Sequence, residues 1–94
     1  RQLEQNFVWL TQVKAVSQKV DIEKLDVLIS NDRKLIEIRE KMLATADVQL
    51  QNGIITTNDY LTEVNNVDIA RQNLALHEVQ RLQAVYLLGI TLGN

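Results

Sequence analysis

His77 and Glu78 are the residues whose types and spacing come closest to a catalytic pattern, in the stretch His77-Glu78-Val79-Gln80-Arg81. A zinc-protease helix places two histidines four residues apart and a glutamate after the first, so that both imidazoles bind the metal and the carboxylate acts as general base. Arg81 stands where the second histidine is required, and the chain contains one histidine. We therefore predict no metal site and interpret His77 as a lone exposed histidine on a helix.

Other catalytic patterns are missing from the sequence as well. Di-iron sites in helical bundles need a Glu three residues before a His, and no Glu lies three residues before His77. The sequence contains no Cys, no glycine loop that could hold a phosphate and no nucleophile elbow. We expect no enzyme activity, no metal and no cofactor.

The composition favours long helices over a compact domain. The 94 residues include no Pro, three Gly and 4% aromatic residues, while 46% are hydrophobic. A net charge of -2 argues against a nucleic-acid partner, which normally requires a basic face. The sequence shows no initiator Met, no signal segment and no apolar run long enough to span a bilayer, so we expect a segment of a longer protein.

The one strong break in this helix-compatible sequence follows Asn52. If Asn52 caps a first helix, Gly53 takes the next position, where a left-handed backbone carries no side-chain penalty. Thr56 can then cap a second helix, with its hydroxyl accepting a hydrogen bond from the amide of Asp59. Asp59 lies in the first turn, where the helix dipole favours a carboxylate.

These signals predict an all-α fold, a long antiparallel two-helix coiled-coil hairpin. Helix one covers residues 1–52, the tip turn 53–56 and helix two 57–92. Ile55 and Tyr60 have the spacing of a hydrophobic staple at the start of helix two. The alternative at the tip is a β-hairpin, since Asn52-Gly53 is a type I′ turn pair.

Helix one contains neither Gly nor Pro up to Gln51 and, if continuous, is roughly 75 Å long. One heptad position in it is apolar at every occurrence. Its members are Val8, Ala15, Ile22, Ile29, Ile36, Leu43 and Leu50. This repeat indicates a coiled coil, so we predict that these residues form the seam, the line along which the helix packs on its partner.

Helix one also carries apolar residues away from the seam. Phe7, Leu28, Leu35 and Met42 flank the seam on one side, and Val13, Val20, Val27 and Val48 lie farther round the helix. A helix with one partner needs one apolar stripe, so the broader pattern predicts two neighbours, as in a barrel or bundle of helices. The alternative is that the valines are ordinary surface residues.

Helix two has apolar residues at three- and four-residue steps: Leu61, Val64, Val67, Ala70, Leu74, Leu82 and Val85. Folding the arms together at the tip places Leu92 beside residues 13–16, so the first dozen residues have nothing opposite them. The apolar members of this overhang are Leu3, Phe7, Val8, Trp9 and Leu10. We expect another chain, or another part of a longer protein, to cover them.

A gapless pattern runs forward from the tip: Gly53, Thr56, Asp59 and Leu61, then Ala70, Leu74, Leu82 and a closing Leu92-Gly93. It resembles the C-terminal helical hairpin of TolC-like outer-membrane efflux proteins. The sequence of residues 57–63 and 70–74 resembles that of the family branch found in Bacteroidetes-like bacteria. The resemblance covers the second half of the chain by motif and the first half by heptad pattern.

The resemblance implies a place in a homotrimer whose long helices form a tunnel across the periplasm, continued by a β-barrel through the outer membrane. This chain would supply tunnel wall and would meet the membrane only through that barrel. The tip would contact a periplasmic adaptor protein, linked in turn to an inner-membrane pump. Gly53, Ile54 and Thr56 are the residues assigned to the adaptor contact.

The resemblance also implies how the lumen near the tip is lined. Asp59 matches an acidic position that, repeated by threefold symmetry, forms a ring attracting cations. The best-known family member closes its gate with a tyrosine before the tip glycine and an arginine after it. Leu50 and Ile55 stand at those positions here, so we expect a hydrophobic constriction.

Two other readings compete with the channel segment. A periplasmic adaptor is also a helical hairpin, but its tip carries Arg, Leu and Ser/Thr at about seven-residue spacing, which residues 41–62 lack. A generic coiled-coil oligomerisation hairpin would explain the heptads but not the gapless register from Gly53 to Gly93.

Overall fold

The structure, a computed structural model, describes the backbone of residues 2–93 and the side chains of residues 4–93. Helix α1 covers Gln2–Gln51 and helix α2 covers Thr57–Thr91, and the described residues contain no strand. The chain is therefore an all-α antiparallel hairpin, as predicted, and the β-hairpin alternative at the tip is wrong. Arg1, where the predicted first helix begins, lies outside the described residues.

Both helices are continuous because little in the sequence interrupts them. Glycine and proline are the residues that most disfavour a helix interior, and α1 contains neither over its 50 residues. Helix α2 contains one glycine and no proline, and that glycine, Gly89, lies two residues before the helix ends. Length alone would not hold such helices in water, so their stability depends on packing.

The chain forms two compact units, each containing part of both helices. The tip unit comprises residues 29–76, and the root unit comprises residues 2–28 and 77–93. In the tip unit, the buried side chains are Ile29, Ala46, Val67 and Ala70. Arg71 Nη2 donates to Glu40 Oε1 at 2.9 Å, which joins the two helices on their exposed side.

In the root unit, Ala15 is the buried side chain, and an ion pair joins Arg81 of α2 to Asp26 of α1. The predicted overhang precedes Ala15. The side chains of Phe7, Val8, Trp9 and Leu10 are 53–71% exposed, so the described part of the chain leaves them largely uncovered. Leu3 belongs to the same prediction but lies outside the described side chains.

The predicted seam of α1 is confirmed from Ala15 onward. Ala15 and Ile29 are buried, and the other members from Ile22 to Leu50 are half-buried. Val8 is 53% exposed because it lies in the overhang. A second line, three residues on in each heptad, completes the contact and is mainly polar. Its members are Thr11, Gln18, Leu25, Asp32, Arg39 and Ala46, all half-buried or buried.

The predicted stripe of α2 is correct only in its middle. Val67 and Ala70 are buried, and Val64 and Leu74 are half-buried. Leu61, Leu82 and Val85 are instead 41–70% exposed. The residues that face α1 follow two heptad lines that include polar side chains: Tyr60, Val67, Leu74, Arg81 and Leu88, with Glu63, Ala70, His77, Ala84 and Thr91.

Candidate functional site

The tip turn closes α1 through two backbone hydrogen bonds. Gly53 N–H donates to the Leu50 carbonyl at 3.1 Å, and Ile54 N–H donates to the Gln49 carbonyl at 2.8 Å. This pair of bonds defines a Schellman motif, in which the residue after the cap is left-handed. Gly53 has a φ of 70°, which confirms its predicted position. Asn52, Gly53 and Ile54 are all exposed, so the turn presents them to solvent.

Helix α2 begins with a capping box. Asp59 N–H donates to Thr56 Oγ1 at 3.1 Å, which confirms the predicted cap. In return, Thr56 N–H donates to Asp59 Oδ2 at 3.1 Å, a second bond beyond the predicted one. Ile55 and Tyr60 on either side are half-buried, in keeping with the predicted staple.

A groove of about 410 Å³ runs between the two helices just behind the tip. Its lining residues are Ile38, Lys41, Met42, Thr45, Ala46, Gln49, Ile55, Asp59 and Glu63. The buried Ala46 forms part of its wall, while Ile38 and Met42 are 55% and 42% exposed. Its volume falls within the range of sites that hold a small ligand or a partner's side chain.

The charged side chains that line this groove are two carboxylates and one lysine. Glu63 is half-buried, and its Oε2 atom is buried without a hydrogen-bond partner. Asp59 also lines the groove, but one of its carboxylate oxygens already accepts the Thr56 amide. Lys41 contributes the positive charge. A carboxylate oxygen that is buried and unpaired costs free energy, so this oxygen destabilises the folded chain.

The structure separates the predicted site residues into two sets. Gly53, Ile54 and Thr56 lie together on the exposed turn. Asp59 and Ile55 line the groove.

Leu50 belongs to neither set, because it is half-buried in the seam of α1. Only part of its side chain is therefore free to meet any other chain. The pairing of Leu50 with Ile55 as a hydrophobic constriction stays a prediction.

His77 is not the exposed residue that the sequence analysis predicted. It is half-buried and occupies a seam position of α2, between Leu74 and Arg81. His77 also has an interaction partner in the chain. Polar residues at seam positions break the apolar pattern, so only the register set by the tip could have identified this role.

Among the described residues, no three His, Asp or Glu side chains come together in a way that could hold a metal ion. Within the described residues, neither helix includes a segment with the length and hydrophobicity of a membrane span. Comparisons with family models, curated proteins and solved structures give no match to this chain.

Large apolar side chains are exposed unequally in the two units, although the units are of nearly equal length. Among the described residues, eight lie in the tip unit and sixteen in the root unit. Those of the tip unit are Leu35, Ile38, Met42, Val48, Ile54, Leu61, Ile69 and Leu76. The root unit therefore exposes twice as many large apolar side chains as the tip unit.

Proposed function

We propose that this chain is a periplasmic tunnel segment of an outer-membrane efflux channel. In this role it forms part of a passive conduit that exports small molecules or proteins, while an inner-membrane pump supplies the energy. The proposal assigns the chain to a homotrimer and gives none of its residues covalent chemistry. The proposal is supported by the motif from Gly53 to Gly93 and by one observation about the exposed faces of α1.

That observation is the apolar surface which α1 keeps after pairing with α2. The flanking residues Phe7, Leu28, Leu35 and Met42 are 39–71% exposed. The valines at positions 13, 20, 27 and 48 are 41–60% exposed, on the side of α1 opposite the seam. A hairpin that worked alone would keep these faces polar. A wall of side-by-side helices instead gives each helix further neighbours, which accounts for both sets.

The exposed turn is the part of this segment that we assign to the periplasmic adaptor. Gly53, Ile54 and Thr56 are accessible, and the capping bonds hold them in one geometry without a partner. Preorganisation of this kind lowers the entropy lost on binding. The nearby groove offers an apolar wall to a side chain of the adaptor.

Asp59 is the residue that we assign to an acidic ring in the lumen, with Leu50 and Ile55 as a hydrophobic constriction. Asp59 is exposed at the start of α2, and three copies related by threefold symmetry would concentrate negative charge. Its bond to the Thr56 amide fixes the carboxylate at that position.

The experiment is single-channel conductance of the full-length protein in a planar bilayer. We expect stable pores that multivalent cations block from the side carrying the tips, and weaker block in Asp59→Asn. Asp68→Asn is the matched control, because Asp68 is exposed on α2 and lies nine residues on, on the opposite side of the helix. Its block should equal that of the wild type.

Two results would count against parts of the proposal. No pore from well-folded full-length protein would refute the channel and favour an adaptor or an oligomerisation hairpin. Pores whose cation block is the same in Asp59→Asn and wild type would keep the channel but remove Asp59 from the ring.

A further inference from the structure

Asn52-Gly53 is the one place in the sequence where an asparagine precedes a glycine. Both residues are exposed at the end of α1, and no heavy atom beyond Gly53 and its two chain neighbours lies within 4 Å of the point where a Gly53 side chain would begin. The absence of a side chain on Gly53 leaves its backbone nitrogen open to approach from the Asn52 side chain.

This arrangement has a defined reaction. The Gly53 backbone nitrogen attacks Asn52 Cγ, a carbon–nitrogen bond forms, and the side-chain nitrogen leaves as ammonia. Water then opens the resulting five-membered imide at either carbonyl, giving aspartate or isoaspartate. One water is consumed and one ammonia is released, with no oxidant or reductant.

The tip turn opposes the first step. Asn52 N–H donates to the Val48 carbonyl at 3.0 Å, so Asn52 is held in helical bonding. Gly53 N–H, on the attacking nitrogen, is engaged by the Leu50 carbonyl at 3.1 Å, and Ile54 N–H closes the turn on Gln49. The imide ring can close only after Gly53 N–H leaves its acceptor and the backbone turns toward the side chain.

We propose that Asn52 is a site of spontaneous deamidation and isoaspartate formation, and that opening of the tip turn controls its rate. The inference does not depend on the proposed function. Its products alter the turn, because a carboxylate at the C-terminal end of a helix is disfavoured by the helix dipole. Isoaspartate also adds one carbon to the main chain, so the Gly53 and Ile54 bonds can no longer form in register.

The experiment follows conversion of amide to acid by mass spectrometry during incubation in mildly alkaline buffer. Trypsin releases residues 42–71 as one peptide, which contains Asn52 together with Asn58, Asn65 and Asn66 as internal controls. Fragmentation of this peptide locates the modified residue. We expect conversion at Asn52 alone. It should be slower in the folded chain than in urea by roughly tenfold or more, since the hydrogen bonds of Gly53 N–H and Ile54 N–H must open first.

A matched pair of variants tests the control by the turn without changing the reacting atoms. Ile54→Pro removes the N–H that bonds Gln49, whereas Ile54→Ala keeps it. Conversion should be several-fold faster in Ile54→Pro and unchanged in Ile54→Ala. Equal rates at Asn52 and Asn58 in urea would overturn the site. Equal rates in folded and unfolded chains would overturn control by the turn, even if Ile54→Pro failed to fold.

Discussion

Thr56 and Asp59 exchange two hydrogen bonds across the first turn of α2, each 3.1 Å long. The hydroxyl satisfies one free amide of the helix end, and the carboxylate satisfies another. The carboxylate therefore serves the fold whether or not it also faces a lumen. The stability of any Asp59 variant therefore has to be measured before its effect on transport is interpreted.

The cap predicts the effect of Thr56→Ala. Removing the hydroxyl leaves the Asp59 amide without its acceptor, so the free energy of unfolding should fall by about 1 kcal/mol. Urea unfolding followed by far-ultraviolet circular dichroism measures it. Thr57→Ala, at the next position and exposed, is the control and should change stability by less than about 0.5 kcal/mol. Equal losses in both variants would show that the cap contributes nothing.

Two glycines should respond to alanine with opposite signs. Gly53 has a φ of 70°, so Gly53→Ala should destabilise the chain by about 1–2 kcal/mol even though the space around it is open. Gly89 lies inside α2 with open space and no left-handed backbone, so Gly89→Ala should stabilise by up to about 1 kcal/mol. Thermal unfolding of both variants gives the comparison. A gain in stability for Gly53→Ala would contradict the left-handed turn.

The contribution of the seam can be measured at Val67, which is 2% exposed. Val67→Ala should cost about 2 kcal/mol relative to Val79→Ala, because Val79 is 53% exposed. Both changes raise helix propensity equally, so the difference between them reports burial. Urea midpoints of the two variants provide the measurement, and similar midpoints would mean that α2 packs through another face.

The ion pair between Glu40 and Arg71 should contribute little. Both side chains are about half exposed, so solvent screens their attraction. A double-mutant cycle with Glu40→Gln and Arg71→Gln should give a coupling free energy of about 0.2–1 kcal/mol, smaller still in high salt. A larger coupling that salt does not reduce would show that the pair is shielded from solvent, for example by association with another chain.

The features that the sequence predicted well are local ones. The Gly53 turn and the Thr56 cap depend on residues within a few positions of each other, so residue type and spacing determine them. The seam of α1 was also predictable, because one heptad position is apolar at every occurrence. The sequence could also have predicted that Asp59 accepts a hydrogen bond from Thr56 N–H, because a residue three positions after the cap does so in a capping box.

The seam of α2 and the groove could not be predicted in the same way. Which residues of α2 face α1 depends on the register that the tip imposes, and that register brings Glu63 and His77 into the contact. Hydrophobic periodicity alone selected Leu61 and Leu82, which are exposed. The groove arises where the small Ala46 of α1 faces α2. It depends on how the two helices pack together, which the apolar pattern of either helix alone does not predict.

The short list of buried side chains has a consequence for every measurement of stability. Only Ala15, Ile29, Ala46, Val67 and Ala70 are buried among the described residues, and three of these are alanines. In the proposed homotrimer, burial of the exposed apolar faces would supply much of the folding free energy that so small an internal core does not. By mass action, association with further copies would make the unfolding midpoint rise with protein concentration. A melting temperature for this chain is therefore meaningful only at a stated concentration, and variants must be compared at the same one.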